Sequence, residues 1–463
     1  MTFAPRLAPC VALMGAALCA VPGAAENAPG ATVSHEGATA RTTRAAFHRT
    51  QHPGAQWFAT AGLGLFIHWG ISSVHGGIDL SWGMMAGKPW QPNEQPGVSL
   101  ITPEEYFALA AKFKPDRYDP ARWLAAAREA GCRYAVLTTR HHDGYAMWPS
   151  DFGEFGVKQY LPGVDLVAPF VEACRRYGLK VGLYYSPPDW YYNRRYMSFH
   201  YGSGDTRYPG RKPFNTRHQP LDALPPTPPG WDDAYKTYIR GQVRELLTRY
   251  GPIDLLWFDG GPEAISFDEI RALQPHIVVN PRMHGYGDFA TAECRMPDAR
   301  PDGWWELCDI WPMGGWGYSR GHERYRSTGW MLSRLSRVRA WGGNFLVNVG
   351  PRPDGELPDV CYQRLAEVAA WMKHSGEAVF GVDPEPRPAP SNVPLTVRGN
   401  TWYLHLLPGF TDAVMLKETR RPTTVTLLRT GQPLPVAVAE DGLRVEVPPE
   451  ARTDLVDVVA VRW

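Results

Sequence analysis

Two acidic side chains are the first candidates for catalysis in this sequence. Asp259 directly follows the apolar run IDLLWF and precedes Gly260 and Gly261, so a ligand can approach it closely. Hydrolysis of a glycosidic bond needs one carboxyl group that attacks or activates water and another that protonates the leaving oxygen. Asp259 is therefore a candidate nucleophile, although an Asp in this position also commonly caps the next helix.

The second carboxyl group has two candidates in the segments that follow. Glu293 lies in GDFATAEC, and Glu306 lies in WWELCDI. Neighbouring units of a barrel bring their loop tips together, so either side chain can face the same ligand as Asp259. Spacing alone leaves the choice between Glu293 and Glu306 open.

Paired histidines end another apolar run, YAVLTTR. Paired histidines can bind a metal ion, but no third ligand with suitable spacing accompanies His141 and His142, and the sequence contains neither CxxC nor HExxH. We therefore expect hydrogen bonds to sugar hydroxyls, with no metal and no other cofactor. Consecutive side chains on a strand diverge, so both reach one ligand only if the strand bends there.

Composition excludes several classes of partner. The 463 residues include 48 basic and 47 acidic side chains, a net charge of +1, which predicts binding to neither nucleic acid nor an anionic membrane. A neutral substrate is expected. Aromatic residues make up 12%, with 18 Trp and 21 Tyr, which indicates either rings that pack on sugars or a Trp-rich core.

Short apolar segments alternate with amphipathic ones over much of the chain, which predicts parallel strands joined by helices. The predicted strands are 64–69, 134–139, 180–185, 254–258, 276–280 and 344–349. The predicted helices are 119–130, 166–177, 234–250 and 357–374. Units of this kind that close on themselves form a (β/α)8-like TIM barrel, whose active site lies at the carboxyl ends of the strands. An open doubly wound sheet usually has a Gly-rich turn after its first strand, and none occurs here.

The remaining segments predict the domain organisation. Residues 1–25 have the charge and apolar pattern of a signal peptide, so export to the periplasm or medium is expected, and 26–45 form a disordered lead-in. The catalytic barrel spans 46–380, and short alternating strands predict a C-terminal antiparallel β-sandwich over 381–463. The Pro- and Tyr-rich segment 187–230 is too long for a routine connection and is expected to contact substrate.

Five cysteines remain after removal of the signal peptide, too few and odd in number for a disulfide scaffold. Cys294 and Cys308 either form one local bridge or remain buried thiols.

Several motifs in a fixed order resemble the retaining α-L-fucosidases, family 29 of the glycoside hydrolases. The motifs, spread over about residues 55 to 380, are GLGLFIHWG, YAVLTTRHHDG, GLKVGLYYSPPDW, YGPIDLLWFDG, VVNPRMHGYGDFATAEC, WWELCDIWPMGGWGY and GGNFLVNVGPRPDG. The resemblance implies an enzyme that acts on a fucosylated oligosaccharide or glycoconjugate. No later apolar run approaches the length of a membrane span, so no membrane insertion is expected, and a homo-oligomer is one alternative for its oligomeric state. The resemblance also assigns the nucleophile to Asp259 and the acid/base to Glu293, with Glu306 as the rival. The substrate-binding residues that it implies are His68, Trp69, Trp82, His141, His142, Tyr184, Trp257, Arg282 and Trp316.

One departure from the family pattern concerns specificity. The family commonly has Glu-Trp after the first strand, whereas this chain reads Leu80-Ser81-Trp82, so the tryptophan carries over and the glutamate does not. An α-L-galactoside or a decorated fucose is therefore an alternative substrate. A catalytically silent glycan-binding protein is a second alternative, and a metal-dependent hydrolase on the same barrel is a third.

Overall fold

The computed structural model describes residues 49–88, 101–321 and 323–463. The predicted signal peptide, 1–25, and lead-in, 26–45, lie outside these residues.

A parallel sheet of eight strands forms the larger part of the described chain. The strands are β1 (Leu63–Ile67), β2 (Tyr134–Arg140), β3 (Lys180–Tyr185), β4 (Leu255–Phe258), β5 (Val278–Val279), β6 (Ala290–Glu293), β7 (Trp305–Ile310) and β8 (Asn344–Val349). Their order in the sheet is β5-β4-β3-β2-β1-β8-β7-β6, so β1 and β8, the first and last of these eight strands, are neighbours and the sheet curls into a barrel. In the described residues no strand ladder joins β5 to β6. The predicted barrel fold is confirmed.

Alternation of side chains along each strand divides the core into two parts. On β1, Phe66 points into the barrel, where it packs with Tyr134, Tyr184 and Trp257. Its neighbours on β1, residues 65 and 67, belong to the larger cluster between strands and helices. All five residues of β1 are buried, as expected for a strand covered on both faces.

Helices follow most of the strands, as the amphipathic pattern predicts. They are α1 (Ser72–His75), α2 (Pro103–Ala108), α3 (Pro120–Glu129), α4 (Val157–Tyr160), α5 (Ala168–Arg176), α6 (Trp231–Arg249), α7 (Phe267–Leu273), α8 (Thr328–Ala340) and α9 (Asp359–Ser375). Side chains cap several amino ends: Asp119 accepts from the amide of Ala121, and Ser327 accepts from the amide of Trp330. In the described residues no helix is long and apolar enough to cross a membrane.

Strands β6 and β7 are absent from the sequence prediction. Each contains polar side chains that face the barrel interior, Glu293 on β6 and Glu306 on β7, and these interrupt the apolar pattern. The chain runs from β5 to β7 with no intervening helix in the described residues, which also differs from a regular barrel.

Two antiparallel sheets follow the barrel, as predicted. The first contains β9 (Asp383–Pro384), β10 (Leu395–Arg398), β11 (Thr401–Leu406), β13 (Thr424–Leu427), β14 (Gln432–Pro433) and β17 (Asp457–Arg462); the second contains β12 (Val414–Leu416), β15 (Val436–Ala439) and β16 (Gly442–Val445). Their inward residues form a separate apolar core. The indole of Trp371 on α9 donates a 2.6 Å hydrogen bond to the carbonyl of Val456, which attaches this region to the barrel.

The segment 187–230 packs beside the loop that follows β1. Ala86 forms an isolated bridge with His200, Arg211 Nη1 donates to the carbonyl of Gly87 at 2.7 Å, and His218 Nε2 contacts the carbonyl of Met84 at 2.8 Å. The segment thus supports residues 80–88, part of which reaches the candidate site. Its contact with substrate remains a prediction.

Candidate active site

A cavity opens at the carboxyl ends of the parallel strands, where a barrel of this kind holds its active site. It encloses about 310 Å³, including space open to solvent. Its lining residues are Phe66, His68, Leu80, Trp82, His141, Tyr184, Trp257, Asp259, Arg282, Glu293, Cys308 and Trp316. The cavity therefore combines two carboxylates and an arginine with several aromatic walls.

Asp259 follows β4 and projects into the cavity between three polar side chains. Its Oδ1 accepts a 2.8 Å hydrogen bond from Arg282 Nη1, and its Oδ2 accepts a 2.7 Å hydrogen bond from the Tyr184 hydroxyl. Nε2 of His142 lies 3.4 Å from the same Oδ2. Donors on both oxygens hold the carboxylate in one orientation and favour its charged form.

Arg282 connects Asp259 to the second carboxylate. Its Nη2 donates a 2.5 Å hydrogen bond to Oε2 of Glu293, at the end of β6. Burial opposes the charge of this guanidinium, but Glu293 and Asp259 outweigh burial and hold the pKa of Arg282 above its ordinary value. One guanidinium reaches both carboxylates, which suits the close pair, about 5 to 5.5 Å apart, of a retaining glycosidase.

Glu306, the rival for the acid/base role, lies in the barrel interior and does not line the cavity. Its Oε2 accepts a 2.6 Å hydrogen bond from the Tyr134 hydroxyl, and its Oε1 accepts a 3.0 Å hydrogen bond from Nε1 of Trp257. Burial raises the pKa of Glu306 to about 7. A fully buried carboxyl group with both oxygens occupied cannot reach a leaving group in the cavity, so the geometry favours Glu293.

His68 is held in one tautomer by the strand beside it. Nδ2 of Asn348 donates to the carbonyl of Trp316, so Oδ1 of Asn348 accepts the 2.7 Å hydrogen bond from Nδ1 of His68. Nε2 of His68 is left as the acceptor. Burial lowers the pKa of His68 to about 4, so the ring is neutral near pH 7.

Both of the paired histidines reach the site because β2 is irregular where it ends. The register between β2 and β3 shifts between Thr138 and Arg140, and such an irregularity redirects the side chains that follow. Nδ1 of His141 lies 2.5 Å from Oγ of Ser81, and Nδ1 of His142 lies 2.5 Å from Oγ of Ser186. A serine thus fixes each ring, and His141 lines the cavity while His142 contacts Asp259.

The aromatic walls come from three loops or strand ends. Trp257 stacks on Tyr184 with ring centroids 5.5 Å apart, and the guanidinium of Arg282 lies 4.5 Å from its ring centroid. Trp82 contacts His142 edge to face at 5.3 Å. Trp316 lies 5.0 Å from the His68 ring. These rings are where the resemblance predicts contact with the sugar.

The structure places Trp69 away from the cavity, contrary to the prediction. Its indole packs against Phe113, Tyr118 and Trp123 between the strands and the helices, and its Nε1 donates to the carbonyl of Arg352. Consecutive residues of an extended segment face opposite sides, so His68 inside the barrel requires Trp69 outside. The same alternation puts Tyr184 in the cavity and Tyr185 in the outer core.

Several residues of the site were missed by sequence reasoning. Asp79 accepts a 2.8 Å hydrogen bond from the amide of Trp316, and Leu80 packs beside Gly317 with a φ of 52°, a left-handed conformation that costs about 1 to 3 kcal/mol. These contacts fix the loop after β1 to the loop that carries Trp316. Only Asn348 could have been recognised from the sequence as a candidate, because it is a polar residue within the apolar run NFLVNV.

The sequence left open whether Cys294 and Cys308 form a disulfide. Cys294 and Cys308 are both free thiols, and the strand register pairs Cys308 with Glu293 instead.

Among the described residues, His141, His142 and Asp259 present ligand atoms that all lie within 4.8 Å of one another. Asp259 is the third group that spacing in the sequence did not reveal.

Known proteins share both this sequence pattern and this fold. The family model described as Alpha-L-fucosidase matches residues 31–377. The tissue alpha-L-fucosidase of Bos taurus is 29% identical over 355 residues, covering 71% of this chain and 69% of that protein. Alpha-L-fucosidase isoenzyme 1 from Paenibacillus thiaminolyticus superposes with a TM-score of 0.69 at 28% identity, covering 89% of this chain and 98% of that one. The Thermotoga maritima alpha-fucosidase in complex with fucose superposes with a TM-score of 0.66 at 25% identity, covering 89% and 97%. With more than half of its length matched by the family model, this chain belongs to the alpha-L-fucosidase family.

Proposed function

We propose that this chain is a retaining exo-glycosidase that releases terminal α-L-fucose from glycans, with Asp259 as nucleophile and Glu293 as acid/base. The observation that carries the proposal is the position of Arg282, which donates to both carboxylates at the edge of one cavity. Two carboxyl groups close together at one cavity support double displacement.

In the first step, the Asp259 carboxylate forms a bond to C1 of the sugar while the bond from C1 to the leaving oxygen breaks. Glu293 gives its proton to that oxygen. In the second step, Glu293 takes a proton from water, the water oxygen bonds to C1, and the bond to Asp259 breaks. Two inversions at C1 give net retention.

The remaining side chains bind and orient the ring. His68, with Nε2 as acceptor, His141 and Arg282 are the hydrogen-bonding groups at the cavity wall, and Trp82, Trp257 and Trp316 provide its apolar surfaces. Tyr184 donates to Asp259, and His142 lies beside the same carboxylate. Burial and the neighbouring carboxylate hold the pKa of Tyr184 well above its ordinary value, so it stays a donor.

Ser81 is expected to influence which sugar the cavity accepts as substrate. It is fully buried and occupies the position where the family commonly has glutamate, and its hydroxyl contacts His141 instead of presenting a carboxylate. An α-L-galactoside or a decorated fucose is therefore the alternative substrate.

Hydrolysis of an aryl α-L-fucoside, followed by NMR of the first sugar released, tests the proposal. We expect the α anomer first, with slower mutarotation afterwards, and lower kcat/KM on the matched aryl α-L-galactoside. Faster hydrolysis of the galactoside supports the alternative substrate. Binding of fucose without turnover on either substrate identifies a glycan-binding protein and contradicts the proposal.

Two further proposals concern the whole chain. The apolar and charged pattern of residues 1–25 supports export with cleavage near residue 25, which sequencing of the amino terminus of the mature protein tests. The change from parallel to antiparallel sheets supports a catalytic domain over 46–380 and a C-terminal sandwich over 381–463. Limited proteolysis between the two, followed by separation of the fragments, tests that division.

A further inference from the structure

Three side chains that can bind metal ions lie close together at the cavity. We propose that His141, His142 and Asp259 bind a divalent transition-metal ion such as zinc, and that this ion competes with the sugar. Their ligand atoms lie within 4.8 Å of one another, and two imidazoles with one carboxylate are a ligand set that binds zinc in proteins.

The distance between two of these groups already suits a tetrahedral ion. Nε2 of His142 and Oδ2 of Asp259 are 3.4 Å apart. Bonds of about 2.0 to 2.2 Å to zinc place tetrahedral ligands roughly 3.4 Å from each other. An ion between these two atoms replaces their direct contact, and the ligand atom of His141 lies within 4.8 Å of both.

Serine hydroxyls orient both imidazoles as outer partners orient the histidines of metal sites. Ser81 contacts Nδ1 of His141, and Ser186 contacts Nδ1 of His142, each at 2.5 Å. Ser186 donates its own proton to the carbonyl of Pro188, so it accepts from Nδ1 of His142. The Nε2 atom of His142, which faces Asp259, then carries the lone pair that a metal ion needs.

The charged groups in the cavity are expected to determine the affinity of the site for the ion. Arg282 contacts Oδ1 of Asp259, and an ion on Oδ2 shares that oxygen with the Tyr184 hydroxyl. The positive charge of Arg282 opposes a second cation. Glu293, bound to the same guanidinium, offsets that charge. We expect binding weaker than that of a structural zinc, as suits a reversible inhibitor.

The consequence for activity rests on the proposed function. An ion on Asp259 blocks the nucleophile, so zinc is expected to raise KM for a fucoside without changing kcat. Ion binding itself rests only on the geometry and is measurable in a protein that hydrolyses nothing.

Isothermal titration of the full-length, chelator-dialysed protein with zinc chloride tests the site directly. We expect one ion that free L-fucose displaces, and cobalt(II) is expected to give the visible bands of a tetrahedral complex. Ser81→Ala leaves the ligands in place and is expected to weaken zinc about 10- to 100-fold, as loss of an outer partner does. His141→Ala and His142→Ala remove a ligand and are expected to weaken it at least as much.

A control comes from the other histidine pair, His52 and His276, whose rings lie 6.2 Å apart outside the cavity. His276→Ala is expected to leave zinc binding unchanged. Circular dichroism of each variant separates lost folding from lost affinity. The proposal is overturned if the wild type binds no zinc at millimolar concentration, if His142→Ala binds it equally well, or if fucose binds without displacing it. Zinc binding without fucoside hydrolysis instead refutes the proposed function alone.

Discussion

The indole Nε1 of Trp257 donates a 3.0 Å hydrogen bond to Oε1 of Glu306, beneath the sugar cavity. On the face of the same indole, 4.5 Å from the ring centroid, lies the guanidinium of Arg282, which holds both candidate catalytic carboxylates. The hydrogen bond to Glu306 holds the indole on which the Arg282 guanidinium lies. Glu306 is thus linked to the site through Trp257.

Replacement of Glu306 by Gln is expected to stabilise the protein above neutral pH. The unfolded chain releases this proton near pH 4.5, whereas the folded protein keeps it until about pH 7. Stability of the wild type therefore falls as pH rises between these values, by on the order of 3 kcal/mol. Chemical denaturation at pH 5 and pH 8 is expected to show a larger fall in the wild type than in Glu306→Gln, where the buried Asp143 and Asp309, whose pKa values burial raises to about 6, still contribute. If stability falls equally in Glu306→Gln, the pKa of Glu306 is not raised in the folded protein.

Asp259→Ala is expected to fold normally and to lose turnover of an aryl α-L-fucoside by roughly 10⁴-fold or more, because no other group can form the covalent intermediate. Azide restores part of the activity by attacking C1 on the face that the nucleophile occupied, so the product has inverted, β configuration. Stopped assays and NMR of the azide measure both effects. Turnover near the wild-type rate excludes Asp259 as the nucleophile.

Glu293→Ala is expected to affect substrates according to their leaving groups. Natural glycosides, which need a proton on the departing oxygen, lose most of their turnover, while an activated aryl fucoside still forms the intermediate. Azide then attacks that intermediate and gives the retained, α-configured product. The same assay on Glu306→Gln is the control, and azide rescue there in place of Glu293→Ala reverses the assignment.

Arg282→Lys is expected to lower kcat/KM about 10²- to 10³-fold, the usual cost of losing a donor that acts on the reacting groups. A lysine keeps the charge but lacks the fork that reaches both carboxylates at once. Steady-state kinetics beside a thermal melt distinguishes lost positioning from lost folding. Unchanged kcat/KM in the lysine variant shows that charge alone suffices.

His68 is expected to titrate near pH 4 in the folded protein. The unfolded chain binds this proton near pH 6.5, so stability falls as pH drops from 6.5 toward 4, by on the order of 3 kcal/mol. NMR of the imidazole, assigned by comparison with His68→Gln, measures the pKa. Titration near 6.5 shows that the ring is solvated and contradicts its burial.

The sequence by itself determined the barrel and the family, and it indicated most residues of the candidate site. Apolar runs of strand length recur between amphipathic helices, and hydrophobic burial allows few other ways to cover both faces of such strands. Chemistry at the carboxyl ends of parallel strands then follows from topology, which is why Asp259 and His141 were identifiable. The sequence did not predict strands β6 and β7, because Glu293 and Glu306 interrupt their apolar pattern.

Only the tertiary structure decided which face each side chain occupies and which distant groups meet. Trp69 and His68 are neighbours in the chain, yet strand alternation sends one to the outer core and the other to the cavity. Glu293 and Glu306 are alike in sequence context, but the end of β6 leads into the cavity and the start of β7 lies in the barrel interior. The contacts of Arg282 with two carboxylates, and of Ser81 with His141, depend on how separate strands pack, which no local pattern encodes.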